Sequence, residues 1–162
     1  MMELRLKGVG YGTKVKAGVV DAADPQGVEG KFDLILCDVP CSGTGTLAGN
    51  PEIRHFLRLE ELGRQADRQR RILKSALGKL ATRGRLVYST CSLELEECEE
   101  VVDAVLKGVD GFKKVAVDGL VDGLRESGVL KADLKGAVRD GVLRTLPGVH
   151  GCDGFYAVVL ER

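Results

Sequence analysis

Two short stretches of the chain place a cysteine among carboxyl and hydroxyl groups. Residues 38–46 have the sequence Asp-Val-Pro-Cys-Ser-Gly-Thr-Gly-Thr, and residues 88–92 have the sequence Tyr-Ser-Thr-Cys-Ser. The two cysteines are Cys41 and Cys91, and the carboxyl group is that of Asp38. A cysteine thiolate is a nucleophile that can form a covalent intermediate with an electrophilic substrate atom. The two stretches are therefore the first candidates for a reactive site.

Each of these stretches follows an apolar run that is typical of a β-strand. Residues 32–37 precede the first stretch, and residues 85–87 precede the second. A turn at the carboxyl end of a strand carries its side chains to the functional edge of an open α/β sheet. We therefore expect the two thiols, the carboxylate and several hydroxyls to share one crevice.

The remaining pattern of apolar residues predicts strands alternating with helices as far as residue 107. The predicted elements, in chain order, are a strand at 15–20, a strand at 32–37 buried on both faces, a helix from about Glu60 to Ala81 closed by Gly84, a strand at 86–88, and an amphipathic helix at 95–106 ending at Gly108. Such alternation is typical of parallel βαβ units.

The last third of the chain has a weaker pattern. Strands are predicted at 113–117, 142–146 and 155–160, whereas residues 119–135 give mixed signals. A turn containing Pro147 and Gly148 would join the last two strands as an antiparallel edge. The whole pattern predicts an α/β fold with a mostly parallel sheet and an antiparallel C-terminal edge, and 162 residues suit one domain, here residues 1–162.

Composition narrows the classes of protein that the chain can belong to. No apolar run is long enough to span a membrane, and no signal peptide is evident. Five cysteines, an odd number, then predict free thiols in a reducing compartment, and hence a cytoplasmic location. The chain has no Cys-x-x-Cys pair and two distant histidines, which disfavours a metal site and a thiol redox protein.

The net charge is zero, but the charges are segregated along the chain. Residues 54–85 contain ten Lys or Arg against three Asp or Glu, whereas every charged residue from 94 to 103 is acidic. The basic segment coincides with the predicted long helix, which could contact the phosphates of a nucleic acid. Solvated helix faces are the more common reason for such charges.

Together, the two cysteine stretches resemble those of the Sun-type RNA cytosine-5 methyltransferases. The resemblance includes residues 50–54 (Asn-Pro-Glu-Ile-Arg), residues 92–97, and the terminal run 150–156. It implies a Rossmann-like S-adenosylmethionine-dependent methyltransferase fold and methylation of carbon 5 of cytosine in ribosomal or transfer RNA. The target base would have to be unstacked to reach a thiol, as bases in single-stranded RNA are.

The resemblance also implies catalytic roles for three residues. Cys91 would be the nucleophile that adds to carbon 6 of cytosine, Cys41 would assist product release, and Asp38 would contact the ring nitrogen and amino edge of the base. If a helix begins near Leu93, its exposed N–H groups would lower the pKa of Cys91.

The cofactor would be S-adenosylmethionine, and the resemblance implies three residues beside it. The acidic residue after the strand at 15–20 is Asp21, with Asp24 as the alternative. Asp38 and Pro40 of the first turn complete this set, and each aspartate could instead simply form a turn.

Other small residues of the two motifs suit structural roles. Cys37 and Cys98 are typical of small buried hydrophobic residues. Gly43 and Gly45 would permit a tight backbone path beside the ligand.

The chain also departs from the family pattern. It lacks the glycine-rich cofactor loop and the first strands, and Ala48 and Gly49 stand where basic residues are common. We therefore expect weak or no cofactor binding by this chain alone, and either self-association or a need for a complementing N-terminal segment, through the exposed edges of the strands at 15–20 and 32–37. The alternative interpretation is a truncated, non-catalytic remnant that binds RNA.

Overall fold

The computed structural model of the protein describes residues 17–131, 134 and 136–162. Within these residues, six strands form one sheet, and four α-helices are present. The elements are β1 (Phe32–Asp38), α1 (Ile53–Phe56), α2 (Leu59–Gly78), β2 (Leu80–Thr90), α3 (Glu99–Lys107), β3 (Lys113–Val115), α4 (Asp118–Glu126), β4 (Val138–Arg139), β5 (Val142–Thr145) and β6 (Phe155–Glu161). Two 3₁₀ turns, Thr44–Thr46 and Leu95–Glu97, follow β1 and β2 respectively.

The strands are arranged in the order β1-β2-β6-β5-β4. β1 and β2 are parallel, whereas β2 and β5 both run antiparallel to β6. β3 also pairs with β6, beyond the segment that pairs with β5. The predicted antiparallel C-terminal edge is confirmed. The described part of the sheet is mixed rather than mostly parallel, since β1 and β2 form its one parallel pair.

Residues from α2, α3 and the central strands form the apolar core. On α2, apolar residues recur every three or four positions and so form one stripe along the helix. The largest apolar side chains that are fully buried are Leu73, Leu77, Leu80, Leu86, Tyr88, Val101, Val102, Tyr156, Val158 and Leu160. Because β2 and β6 supply six of these, they form the rigid centre beside which the first cysteine turn lies.

The strand predicted at residues 32–37 is present as β1, but its burial on both faces was predicted wrongly. Cys37 is 6% exposed, whereas Leu34 and Leu36 are 68% and 70% exposed. β1 is the edge strand of the described sheet, with β2 as its one pairing partner there. Its alternate side chains therefore remain open to solvent.

Both predicted helices exist, with different ends. α2 stops at Gly78 because the chain enters β2 at Leu80, which pairs with Phe32. Gly84 therefore lies inside a strand and does not close the helix, so this prediction was wrong. A Cβ atom there would come within 2.9 Å of the Ala81 carbonyl oxygen, which explains why a glycine fits.

The second helix is divided into two parts. A 3₁₀ turn at Leu95–Glu97 precedes α3, and Cys98 between them has φ −111° and ψ −104°, outside the helical region. The predicted end at Gly108 is confirmed, since its N–H bonds to the Val105 carbonyl oxygen. α4 occupies part of the segment whose sequence pattern was mixed.

The strand predicted at residues 15–20 is not present in its described part. Residues 17–20 form no strand, and Val19 is fully exposed. A strand needs a neighbour to satisfy its backbone groups, and the described residues offer none at this place. Residues 15 and 16 lie outside the described residues.

The three predicted C-terminal strands are confirmed as β3, β5 and β6, although β3 ends at Val115 rather than at residue 117.

No helix in the described part of the chain has the length and apolar character needed to cross a membrane.

Candidate functional site

The parallel pairing of β1 with β2 brings the two cysteine turns to the same edge of the sheet. Asp38, the last residue of β1, lies opposite Ser89 of β2. The N–H of Val39 then donates to the Ser89 carbonyl oxygen at 3.0 Å. Because both strands end here, the chain turns outward at two neighbouring points.

The two thiols are in contact. The Sγ atoms of Cys41 and Cys91 lie 3.3 Å apart, and both side chains are half-buried. The juxtaposition predicted from the two motifs is therefore present in the structure.

The carboxylate of Asp38 lies at the same edge. Its Oδ1 atom accepts a hydrogen bond of 2.8 Å from the Ser89 hydroxyl. Oδ2 has no hydrogen-bond donor among the described residues, and Asp38 is exposed. One oxygen thus holds the carboxylate in place while the other remains available to a polar ligand.

The pKa of Cys91 is raised rather than lowered. Burial, the hydrogen bond to Cys41 and the charges near it together raise the pKa to about 12, although a backbone hydrogen bond to the thiol acts in the opposite direction. The predicted helix start near Leu93 is wrong, because the 3₁₀ turn begins at Leu95 and α3 begins at Glu99. No helix N-terminus directly follows Cys91 to favour its thiolate.

Two fully buried polar residues stand behind the thiols, and the sequence analysis missed both. Gln69 of α2 and Glu97 of the 3₁₀ turn are each 0% exposed. A signal was available in the sequence, since Gln69 lies three residues after Ala66 and four before Leu73, on the apolar stripe of α2. A polar side chain on such a stripe needs a buried partner.

Gly45 permits the two turns to approach closely. A Cβ atom there would lie 2.3 Å from the Gly154 carbonyl oxygen and 2.6 Å from that of Cys91. Backbone hydrogen bonds of 2.8 Å join Gly45 to both residues. Gly45 therefore allows close packing against the protein's own backbone, at Cys91 and Gly154, rather than against a ligand. Gly43 lies at φ 73°, which favours glycine.

The residues predicted to hold the cofactor line two adjoining cavities beside β1. Asp38 lines a cavity of about 420 Å³ that is mostly apolar. Asp21 and Pro40 line a second one of about 380 Å³, together with Arg68 and Arg71. Residues common to both cavities are Val20, Ala22 and Ile72.

Asp21 and its alternative, Asp24, have different surroundings. Asp24 lines neither of these two cavities, and its carboxylate accepts from the Gln26 side chain. Asp21 also has a turn-forming bond, because its Oδ1 accepts from the Ala23 N–H at 2.9 Å.

The other cysteines occupy different environments. Cys37 and Cys98 are buried, as predicted. Burial raises the pKa of Cys37 to about 11 and that of Cys98 to about 12. Cys152 is exposed, and all five cysteines are free thiols.

The chain is similar to known RNA methyltransferases. A family model described as 16S rRNA methyltransferase RsmB/F matches residues 3–161. The chain is 46% identical over 96 residues to a tRNA (cytosine(34)-C(5))-methyltransferase of Drosophila melanogaster, a match that covers 59% of this chain and 13% of that protein. It is 32% identical over 132 residues to a probable ribosomal RNA small subunit methyltransferase B of Bacillus subtilis (strain 168), with coverage of 82% and 28%.

A solved structure has a similar arrangement. The crystal structure of NSun6 from Pyrococcus horikoshii with SFG matches with a TM-score of 0.76 at 28% identity. That match covers 99% of this chain and 37% of the other. The chain therefore spans between about an eighth and two fifths of the length of these relatives.

Proposed function

Because this chain belongs to the 16S rRNA methyltransferase RsmB/F family, we propose that it forms the C-terminal part of the catalytic domain of an RNA cytosine-5 methyltransferase. The family match confirms the resemblance to Sun-type enzymes, and the similarity to a solved structure confirms the Rossmann-like fold class. The observation that carries the proposal is the contact of 3.3 Å between two thiols beside a carboxylate.

Two thiols suit the chemistry of carbon 5 of cytosine. The Cys91 thiolate forms a bond to carbon 6, and the electron pair of the 5,6 double bond makes carbon 5 nucleophilic. Asp38 contacts the ring nitrogen and amino edge of the base, and a proton shared between its carboxyl group and the ring nitrogen neutralises the charge that this nitrogen gains. After carbon 5 has gained a methyl group, its proton goes to a base, the bond from Cys91 to carbon 6 breaks, and the double bond returns. Cys41 lies against Cys91 and assists this release.

The methyl donor of the proposed reaction is S-adenosylmethionine. When bound, it supplies a methyl group made electrophilic by a sulfonium. The residues present fit such a group in part: the cavity that Asp38 lines offers apolar surface, and the adjoining cavity offers the Asp21 carboxylate and Pro40. Asp21, Asp38 and Pro40 would hold the cofactor in these cavities beside β1.

The substrate of the proposed activity is RNA with an unstacked cytosine. α2 starts shortly after the first cysteine turn and carries exposed basic residues. Arg68 and Arg71 lie beside Pro40, where they can attract the phosphates that flank the target nucleotide. A reducing compartment such as the cytoplasm suits two thiols that must stay unpaired for this chemistry.

RNA that carries 5-fluorocytosine tests the proposal. Fluorine replaces the proton that must leave carbon 5, so the adduct with Cys91 cannot be resolved. Incubation of a catalytically complete protein, in which this chain is joined to its complementing N-terminal segment, with this RNA and S-adenosylmethionine should give a covalent complex, detected by mass. Cys91→Ala should abolish it and Cys41→Ala should not. The opposite result would mean that the two roles are reversed.

A second candidate function is that of an RNA-binding remnant without catalysis. The exposed Leu34 and Leu36 on edge strand β1 favour it, since this part of the sheet lacks a described neighbour. RNA binding without adduct formation would support this candidate. We further propose that the β1 edge pairs with a second copy or with a complementing N-terminal segment.

A further inference from the structure

A carboxylate and an amide that the proposed chemistry does not use lie in the interior, behind the two thiols. Glu97 and Gln69 are each 0% exposed. The Gln69 Nε2 donates to Glu97 Oε1 at 3.0 Å and to the Pro40 carbonyl oxygen at 2.9 Å. The Tyr88 hydroxyl donates to the Glu97 carbonyl oxygen at 2.8 Å. These bonds anchor Glu97 to α2 and to the centre of the sheet.

The Glu97 carboxylate holds the first cysteine turn through Ser42. The Ser42 backbone N–H lies 3.0 Å from Oε1 and 3.2 Å from Oε2 of Glu97, and the Ser42 hydroxyl also donates to Oε2. Ser42 directly follows Cys41 in the chain. The Cys41 backbone is therefore held on both sides along the chain, by Gln69 through the preceding Pro40 and by Glu97 through the following Ser42.

The same set of bonds continues to the second cysteine turn. The hydroxyls of Ser42 and Ser92 lie 3.2 Å apart. Since the single hydroxyl proton of Ser42 goes to Glu97, Ser92 is the donor in this contact. Ser92 directly follows Cys91, and its Oγ accepts from the Glu94 N–H at 3.1 Å. One buried carboxylate thus joins the residues that follow both cysteines.

Burial of these groups is costly, which argues that they serve geometry rather than stability. A buried carboxylate loses its hydration, and hydrogen bonds within the protein offset only part of that free-energy cost. An apolar side chain of similar volume at this position would carry no such cost. A fully satisfied polar network, by contrast, rigidifies the elements that it joins. Here those elements are the two turns that carry the thiols.

We infer that Glu97 and Gln69 are positioning residues that keep Cys41 and Cys91 in contact. The inference depends on the proposed function for its catalytic meaning. Its test needs neither RNA nor cofactor, so a failure of the proposed function would not be mistaken for a failure of this inference.

The test is the rate at which iodoacetamide alkylates each cysteine, measured by peptide mass between pH 7 and 9. Glu97→Met keeps the side-chain volume and removes both acceptor oxygens. The matched control is Glu96→Met, which changes the exposed neighbouring glutamate. The other cysteines serve as internal standards. Alkylation of the buried Cys37 and Cys98 would show that the protein has unfolded, and the alkylation rate of the exposed Cys152 measures the activity of the reagent.

In Glu97→Met the two thiols should separate. Cys91 then loses its hydrogen bond to Cys41 and part of its burial, so its pKa falls and its alkylation at pH 8 rises by about tenfold for each pKa unit. Cys37 and Cys98 should stay protected, and Glu96→Met should match the parent chain. Gln69→Met should change the Cys91 rate in the same direction.

An unchanged Cys91 rate in Glu97→Met, with Cys37 and Cys98 protected, would overturn the inference. If those two cysteines also react, the variant has unfolded, and Ser42→Ala decides instead. That variant loses only the hydroxyl link between the turns, so the Cys91 rate should rise about threefold. A Cys91 rate equal to that of the parent chain in a folded Ser42→Ala variant would overturn the inference equally.

Discussion

Reactivity at this site depends on two side chains that lie in contact, Cys41 and Cys91. The raised pKa of Cys91 favours the thiol over the thiolate in the free protein, so the proposed nucleophile must lose a proton before it reacts. In the proposed reaction this proton passes to an acceptor when cytosine is bound, and the thiolate that is left adds to carbon 6. The proposed mechanism thus uses the contact between the thiols in both of its steps, the attack by Cys91 and the release assisted by Cys41.

Loss of the second thiol should leave the first step intact. In Cys41→Ala, the adduct between Cys91 and unmodified cytosine should accumulate, because the group that assists its breakdown is missing. A denaturing gel of the protein complemented with its N-terminal segment, after incubation with RNA and S-adenosylmethionine, measures the complex. Cys152→Ala, which removes an exposed thiol, is the control and should leave the complex at the parent level. Normal turnover by Cys41→Ala, with no adduct, would remove Cys41 from the mechanism.

Buried thiols should make the protein less stable at high pH. Burial raises the pKa of Cys98 to about 12, from an ordinary value of 9.0. Above pH 9 the unfolded chain releases this proton and the folded chain keeps it. The associated stability is thus complete below pH 9 and is lost as the pH rises toward 12. At pH 10 the loss is about 1.4 kcal/mol.

Urea unfolding at pH 8 and pH 10 measures this loss. Cys98→Ala lacks the thiol, so its stability should fall between these pH values by about 1.4 kcal/mol less than that of the parent chain. An equal fall in both proteins would show that the Cys98 proton is not held more tightly in the folded state.

At the scale of elements, the site depends on the close approach of three backbone segments. The first turn, the second turn and the terminal run meet where Gly45 bonds to Cys91 and to Gly154. Gly154 has little room as well, since a Cβ atom there would lie 2.6 Å from the Leu93 side chain. The terminal run therefore supports the cysteine turns from behind.

Gly45→Ala should separate these segments. The added methyl group would meet backbone oxygens 2.3 Å and 2.6 Å away, which cannot rotate aside, so the free energy of unfolding should fall by about 2 kcal/mol or more. Gly49→Ala is the matched control, because its nearest neighbour would lie at 3.8 Å. The midpoints of urea unfolding compare the two variants, and equal midpoints would contradict the role given to Gly45.

At the scale of the whole molecule, the described sheet is open at one side. Leu34 and Leu36 of β1 are exposed. The two cavities lined by Asp38 and by Asp21 lie beside this strand. An exposed apolar edge strand favours pairing with another chain. Because the β1 edge is uncovered, the described residues would contact S-adenosylmethionine on only one side of its proposed site.

We therefore expect residues 1–162 alone to self-associate and to bind S-adenosylmethionine weakly or not at all. Sedimentation should show species larger than a monomer, and calorimetry should show no micromolar cofactor binding. Leu34→Lys with Leu36→Lys should restore the monomer by placing charge on the edge. The control variant Val129→Lys, which changes an exposed apolar residue outside β1, should leave the self-association unchanged. Micromolar cofactor binding by a monomer would contradict this expectation.

Local sequence determined much of what surrounds the thiols. Apolar runs followed by Asp38 and by Ser89 to Cys91 marked strands that end in turns, because strand and turn preferences act over a few residues. The stripe on α2 and the strands β5 and β6 were evident for the same reason. The family of the chain was also recognisable from these short motifs, because Cys41 and Cys91 occur in them in a specific order and spacing.

Tertiary structure alone decided how these parts interact. The contact of 3.3 Å between the thiols follows from the parallel pairing of β1 with β2, which joins residues about fifty positions apart. The raised pKa of Cys91 reverses the expectation from a nearby helix, because desolvation depends on every group packed around the thiol. Burial of Glu97 and exposure of Leu34 likewise depend on which elements cover them, and this is a property of the assembled sheet rather than of any local segment.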